Sequence, residues 1–356
     1  MEALIAVPAR PDAPARRSVG LTVLVPAYNE ENSIADTVKS LQEQSVPVDE
    51  IVVIDDFSTD RTGDVARALG ATVLRPPRNT GSKAGAQTFA LAHVSTPYVM
   101  AIDADTVLDP RAVERILPAI REAGVAAACG FVLPRRVSTL WERGRYVEYL
   151  FAFTFYKPIQ DHYARPLISS GCFSIYRTEV VRACGGWSNR TMAEDMDLTW
   201  TLYHRGHGVR FVPEAVSYPL EPHNYHFLSK QLRRWSHGFV QNVRLHWRAI
   251  LHEPLLRSMV AVGLWDAAVA SIAFLVAIPL LSLFVSPLFL LAYLFDLPAV
   301  LVPTLIAGWR RKEVGLVLAS FPSFFVLRLV NGVFMLRALW CEFVLKRTLT
   351  VYEKGH

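Results

Sequence analysis

Short apolar runs alternate with amphipathic stretches over the first hundred residues. Leu21–Val25 ends at Pro26, Ile51–Ile54 at Asp55-Asp56, and Tyr98–Ile102 at Asp103-Ala104-Asp105, while Ala71–Leu74 leads into a loop rich in Pro, Arg, Asn and Gly. Runs this short and this apolar read as buried strands. Between them a helical pattern runs from about Ser33 to Gln44, and a second from about Asp60, a good N-cap, to Gly70. The alternation predicts an α/β fold with a largely parallel sheet covered on both faces.

Polar residues fall where such a fold binds ligands. Tyr28 to Glu30, Asp55-Asp56 and Asp103 to Asp105 each sit just past the end of a strand run, and open α/β sheets bind in the crevice outside those ends. Helix caps alone account for Asp55 and Asp56. They account poorly for Asp103 and Asp105, two carboxylates on one short turn that repel unless a cation lies between them. Mg2+ or Mn2+ suits that place, being held by one or two carboxylates plus substrate phosphates. The sequence has no GxxxxGK[ST] loop and no GxGxxG fingerprint, which argues against a P-loop ATPase or a dinucleotide enzyme.

Further on, residues 137–165 mix aromatics with Arg, Glu and Lys. They read as an amphipathic helix against the membrane or a transmembrane bundle, with a core helix nearly as good a reading. Ser169-Ser170-Gly171-Cys172 leads into a strand-like Phe173–Tyr176, and the glycine suggests close backbone approach to a ligand. Thr191 followed by Glu194 is a capping-box pattern, which would leave Asp195 free for chemistry. Gln231, Arg234 and Trp235 lie at i, i+3 and i+4, so a helix puts amide, guanidinium and indole on one face. That set suits a diphosphate beside a sugar.

From Ser258 the apolar content rises sharply, and about 259–282 and 287–308 are each long enough to span a bilayer. A last stretch, about 314–345, is interrupted by Pro322, Arg328, Asn331 and Arg337, and reads as a third span, a re-entrant pair, or a span plus an interfacial helix. Lys346 and Arg347 favour the re-entrant version, with the C-terminus cytoplasmic. A mean hydropathy of +0.25 agrees with a membrane protein that has a sizeable soluble part. The net charge of +5 concentrates around the apolar runs, which fits positive-inside topology and an anionic membrane surface better than nucleic acid. Four cysteines without CxxC spacing indicate neither zinc nor a disulfide framework. The expected divisions are a flexible arm at 1–19 with no N-terminal anchor, a catalytic domain at 20–225, interfacial helices at 226–257, two to three spans within 258–345, and a tail at 346–356.

In order, Tyr28-Asn29-Glu30, Asp55-Asp56-Phe57-Ser58, Lys83, Asp103-Ala104-Asp105, Glu194-Asp195 and Gln231-x-x-Arg234-Trp235, followed by apolar spans, resemble the membrane-embedded family-2 glycosyltransferases. These include the hyaluronan, chitin, cellulose and poly-N-acetylglucosamine synthases. Each motif is weak singly; the ordered set is specific and covers about Leu21 to His246. The resemblance implies a GT-A (Rossmann-like) fold that binds a UDP-sugar and inverts its anomeric centre. It implies uridine at Tyr28, Glu30 and Asp55 or Asp56, with Lys83 near the diphosphate. Asp103 would contact the nucleotide-sugar, Asp105 the metal, and Asp195, beside Glu194, would be the base. Gln231 and Arg234 would lie over the diphosphate, and Trp235, with Gly171 and Cys172, by the acceptor. Three features depart from the pattern: Ala193 stands where Ser or Thr commonly precedes Glu-Asp, Phe57 replaces the usual Gly, and the N-terminal spans of many polymer synthases are missing.

The expected function is therefore transfer of N-acetylglucosamine or glucose from a UDP-sugar to a growing polysaccharide, at a multi-pass cell-membrane protein with its catalytic part in the cytoplasm. Single addition to a lipid acceptor (a polyprenyl phosphate or glycolipid) is the alternative, and a non-catalytic scaffold is a third. Expected partners are the donor, the acceptor and the bilayer, with self-association left open and no nucleic acid.

Overall fold

The computed structural model describes residues 18–295 and 297–350. Most of the expected arm, Asp296, and residues 351–356 of the expected tail lie outside the described residues. The four apolar runs form strands β1 (Leu21–Ala27), β2 (Glu50–Asp55), β3 (Thr72–Leu74) and β4 (Tyr98–Ile102). Helices α1 (Ile34–Gln42), α2 (Thr62–Ala68) and α3 (Lys83–Leu91) connect them in turn. Then come β5 (Val107–Leu108), α4 (Ala112–Arg121), β6 (Val125–Val132) and a long helical excursion, α5 (Leu140–Phe151) running through a π turn into α6 (Lys157–His162). The chain returns through β7 (Phe173–Arg177), α7 (Thr178–Ala183), α8 (Glu194–His204) and β8 (Gly208–Tyr218). Helices α9 (Tyr225–Leu245) and α10 (Trp247–His252) precede the apolar third, made of α11 (Pro254–Leu264), α12 (Ile278–Phe284), α13 (Leu297–Arg311) and α14 (Val314–Leu339).

The sheet order is β3-β2-β1-β4-β7-β6-β8-β5. Strands β1 to β4 are parallel, as the alternation predicts, but β7 is antiparallel to both β4 and β6, and β5 to β8. The sheet is thus mixed rather than largely parallel. The reason lies in the excursion: α5 and α6 do not cross back over the sheet, so β7 begins beside the end of β4 (Phe173 opposite Ile102) and runs the other way. That path delivers the Ser169–Cys172 loop to the same sheet edge as Asp103.

Both faces are covered. Leu21, Val23 and Val25 pack with Ile34, Val38, Ile116 and Ile120 in the layer of α1 and α4. Leu24 packs in the opposite layer with Ala86, Trp200 and Val240, which belong to α3, α8 and α9. This is the two-residue period of a doubly buried strand.

Three helices, Pro254–Phe284, Pro287–Arg311 and Val314–Val344, are long and apolar enough to cross a membrane by length and composition. The last apolar stretch is one continuous helix rather than a re-entrant pair, with Pro322 accommodated inside it. It is held to the α/β layers on two sides. A Cβ at Gly144 of α5 would lie 3.0 Å from Leu327 Cβ and 3.1 Å from the Ser323 carbonyl, so α5 and α14 approach closely there and a larger residue would have to push them apart. Leu228 and Leu232 of α9 bury against Leu327 and Phe334. Two of the polar interruptions are paired: Arg328 Nη2 lies 3.2 Å from Asp266 Oδ1, and Asn331 Nδ2 donates to Glu148 Oε1 at 3.1 Å.

Candidate active site

Lys83 sits at the centre. It is the first residue of α3, whose N-cap Ser82 accepts the Gly85 N–H, a start that fixes where the ammonium points. Its Nζ donates to the Gly171 carbonyl at 3.0 Å, pairs closely with Asp103, and lies 3.9 Å from Glu194. Burial pulls its pKa down, but Asp103, Glu194 and Asp195 outweigh that and hold it above the ordinary lysine value. One fixed cation thus joins the β4 edge, the β7 loop and the start of α8.

Asp195 is oriented by two backbone amides, Gly171 N–H on Oδ2 at 2.8 Å and Met196 N–H on Oδ1 at 2.9 Å. Burial raises its pKa, opposed by Lys83 and by those amides, so it is a somewhat stronger base than a solvated aspartate. Burial and Asp195 likewise raise Glu194, while Lys83 and Arg234 oppose them, which places Arg234 within electrostatic reach of the cluster.

The expected capping box is absent. The N-cap of α8 is Ala193, and the Thr191 hydroxyl donates to the Ala193 carbonyl at 3.1 Å. The start of α8 is instead braced by α9: Gln241 accepts the Met192 N–H at 2.8 Å, and Asn242 Nδ2 donates to Ala193 O at 3.1 Å. Helix α9 comes so near that a Cβ on Gly238 would meet Ala193 Cβ at 2.7 Å. A residue larger than alanine at 193 would press on that helix, which accounts for the departure there. Glu194 is therefore left facing Lys83, not spent on a cap.

At the β4 edge Asp103 is taken by Lys83. Asp105 is the strained carboxylate: burial and then the charges of Asp103, Glu30 and Glu221 raise its pKa well above normal. Among the described residues no group of three His, Cys, Asp or Glu side chains is arranged to hold a metal by itself. A carboxyl ringed by carboxylates does suit a divalent cation that brings phosphate oxygens with it.

The nucleotide corner is partly engaged within the protein. Asp56 accepts the Thr80 N–H and hydroxyl, both at 2.8 Å, and Asp55 Oδ1 accepts the Ser58 N–H at 2.9 Å. Glu30 Oε2 accepts the Ser33 hydroxyl at 2.5 Å. Tyr28 is exposed. Phe57 adopts φ +67°, the left-handed backbone that favours the usual glycine, and Arg75 lies over its ring at 5.0 Å. Cys172 lies beside Gly171, and burial pushes its thiol pKa up.

Gln231 and Trp235 share the predicted face of α9, and both meet Arg145 of α5. Its Nη2 donates to Gln231 Oε1 at 2.9 Å, and its guanidinium lies 4.5 Å from the Trp235 ring centroid. The sequence reading took Arg145 and Tyr149 only as part of the amphipathic stretch 137–165, and gave neither them nor Glu221 a place in the site. They sit in, or next to, stretches whose aromatic and basic character matches any membrane-facing helix, and no spacing marks them. The last described residue, Thr350, lines a cavity of about 130 Å³ with Ser82, Lys83, Asn189, Thr191 and Glu194. It is carried there by Gln241 Nε2 on the Leu349 carbonyl at 3.0 Å and by Arg244 on the Thr348 hydroxyl at 3.3 Å.

Residues 22–185, which hold the β1 edge, Lys83, Asp103, Asp105 and the Gly171 loop, match the family model described as Glycosyl transferase family 2. The chain carries a family-2 glycosyltransferase domain. The chain is similar to the poly-beta-1,6-N-acetyl-D-glucosamine synthase of Staphylococcus aureus (strain MSSA476), 26% identical over 233 residues, covering 64% of this chain and 57% of the relative. It is also similar to the probable glycosyltransferase YdaM of Bacillus subtilis (strain 168), 28% identical over 230 residues, covering 61% and 54%. The chain thus spans a little over half the length of these curated relatives. Among solved structures, the mannosyltransferase PcManGT from Pyrobaculum calidifontis, in complex with GDP-Man and Mn2+, superposes with a TM-score of 0.60 at 17% identity, covering 92% of this chain and 88% of that one. At that identity the likeness is one of fold, and it extends into the C-terminal helices of this chain.

Proposed function

We propose that the protein is an inverting glycosyltransferase that moves N-acetylglucosamine or glucose from a UDP-sugar to an acceptor hydroxyl at a membrane. The observation that carries this reading is the convergence of Lys83, Asp103, Glu194 and Asp195 at one place in the fold. Asp195 takes the proton of the acceptor hydroxyl as its oxygen bonds to C1 of the donor sugar. The C1–phosphate bond breaks, and its electron pair leaves on UDP. Lys83 and Arg234 offset the charge that develops on the diphosphate. Asp105, with Asp103 nearby, would hold Mg2+ or Mn2+, which when bound would neutralise phosphate charge. Tyr28, Glu30, Asp55 and Asp56 would surround the nucleoside, Gln231 the diphosphate, and Trp235, Gly171 and Cys172 the acceptor sugar.

The acceptor we favour is the end of a growing polysaccharide, a reading supported by the name of the Staphylococcus relative. A lipid-linked acceptor is the second reading. The first two apolar helices bury only 17% and 12% of their most apolar windows, so among the described residues they leave broad apolar faces where a lipid chain could lie. On either reading the catalytic part lies on the cytoplasmic face of a multi-pass protein of the cell membrane, with the basic residues flanking the helices on that side. Membranes bearing the protein, incubated with a panel of UDP-sugars, should release UDP with one or two of them. A ladder of products supports polymerisation; a single organic-extractable glycolipid supports the second acceptor. No UDP release from any donor would overturn the assignment.

A further inference from the structure

Arg145 is among the largest fully buried side chains of the protein, at 1% exposure, yet nothing in the proposed chemistry uses it. Its surroundings form a built network. Glu148 Oε2 accepts from Nη1 at 2.5 Å, Gln231 Oε1 from Nη2 at 2.9 Å, and Glu221 Oε2 lies 3.8 Å from Nε. The Tyr149 hydroxyl donates to Glu221 Oε1 at 2.9 Å. The flat guanidinium lies over Trp235 at 4.5 Å and over Tyr149 at 5.9 Å. Three helices meet here, and a second tie leaves for the apolar region, where Asn331 of α14 donates to the other oxygen of Glu148.

We infer that Arg145 is a positioning residue for the acceptor: it fixes the ring plane of Trp235 and the amide of Gln231, and through Glu148 and Asn331 makes that setting depend on how α14 is docked. The inference rests on the acceptor role given to Trp235 above. The physical case is threefold. Trp235 is 36% exposed, so with one face covered by the guanidinium the indole keeps surface for a sugar. A planar, bidentate cation holds a neighbouring ring and amide in one orientation, which an ammonium cannot do. And Glu148 is shared: one oxygen binds Arg145, the other the amide of Asn331, so withdrawing α14 by a few ångströms removes one of the two bonds that hold that carboxylate. A helix that meets lipid thereby reports on a site that meets sugar.

The test uses the full-length protein in membranes or lipid nanodiscs, with the donor sugar and acceptor identified by the UDP-release panel. Three variants are compared: Arg145→Met, Arg145→Lys and Asn331→Leu, the last keeping α14 apolar. Acceptor KM, donor KM, kcat and acceptor-free UDP release are measured for each. Arg145→Met should raise the acceptor KM about tenfold, as expected for loss of a stacked, desolvated cation. Arg145→Lys should recover only part of that, because it restores charge without the plane. Asn331→Leu should raise the acceptor KM about threefold, as expected for one weakened polar contact, with donor KM and acceptor-free release unchanged. The Arg145→Met/Asn331→Leu double variant should show less than the product of the two effects, because both act through Glu148. An unchanged acceptor KM in Asn331→Leu, full recovery by lysine, or strictly multiplicative effects would overturn the inference. A wild type that turns over no nucleotide-sugar would instead defeat the proposed function, which separates the two failures.

Discussion

A methyl group on Gly171 would lie 2.9 Å from Asp195 Oδ2 and 3.0 Å from Lys83 Nζ. An alanine there would displace two side chains of the candidate site, where the sequence suggested only a ligand nearby. Gly171→Ala should lower kcat by about a hundredfold, the size expected when a base is displaced by an ångström, while the fold, read by circular dichroism, stays intact. Asp195→Asn should reduce sugar transfer by at least about 10² to 10⁴-fold, the range for loss of a general base. UDP affinity in that variant, measured by calorimetry, should stay near wild type, and unchanged turnover would remove the assignment. At this scale the sequence was legible wherever a residue type is rare in its setting, as with two aspartates closing a strand or a tryptophan after a double arginine. Arg145 was not legible, because a buried arginine and a solvated one look alike until the partners of its five N–H groups are known.

At the scale of elements, α9 carries the most. One helix presents Gln231 and Trp235 to Arg145, braces the start of α8 through Gln241 and Asn242, and receives α14 on its outer side. Its period was readable from the sequence; its reach to Met192 was not, since side-chain-to-backbone bonds across 49 positions leave no local trace. The antiparallel β7 was hidden for the same reason, being decided by where the α5–α6 excursion ends. Glu221, just after β8, gives this scale its pH dependence. Burial raises its pKa to about 7, against the opposing pull of Arg145, Tyr149 and Gln231, with Glu148 adding to the rise. An acid whose folded pKa lies above its unfolded value stabilises the fold at low pH and loses that contribution as pH rises from about 4.5 to 7. In chelator, the thermal midpoint of the wild type should fall across that window relative to Glu221→Gln, and the two curves should run parallel above it. Replacing Gly144 by Leu should separate α5 from α14 and lower the thermal midpoint by several degrees, since overpacking costs about 1–3 kcal/mol.

For the whole molecule, the fold class followed from the alternation of strands and helices, and the three apolar helices from length and composition alone. How the apolar third meets the α/β layers did not follow, because the deciding contacts are single glycines and lone polar side chains such as Asn331. Stripping divalent ions with chelator should abolish transfer and weaken UDP binding together, with Mn2+ or Mg2+ restoring both. Retained UDP affinity in chelator would count against Asp105 as the ion's seat.

Thr350 stands on the wall of the cleft after the chain has passed through every apolar helix. A fragment ending before Pro254, the obvious choice for making a water-soluble protein, would keep Lys83, Glu194 and the tryptophan yet lack the Thr350 side of the cavity beside Lys83. It would also shed the Asn331 contact to Glu148 and the packing of Leu327 on α5 and α9. Such a fragment should bind nucleotide more weakly than the intact protein, and a poor result from it would say little about what the native enzyme does.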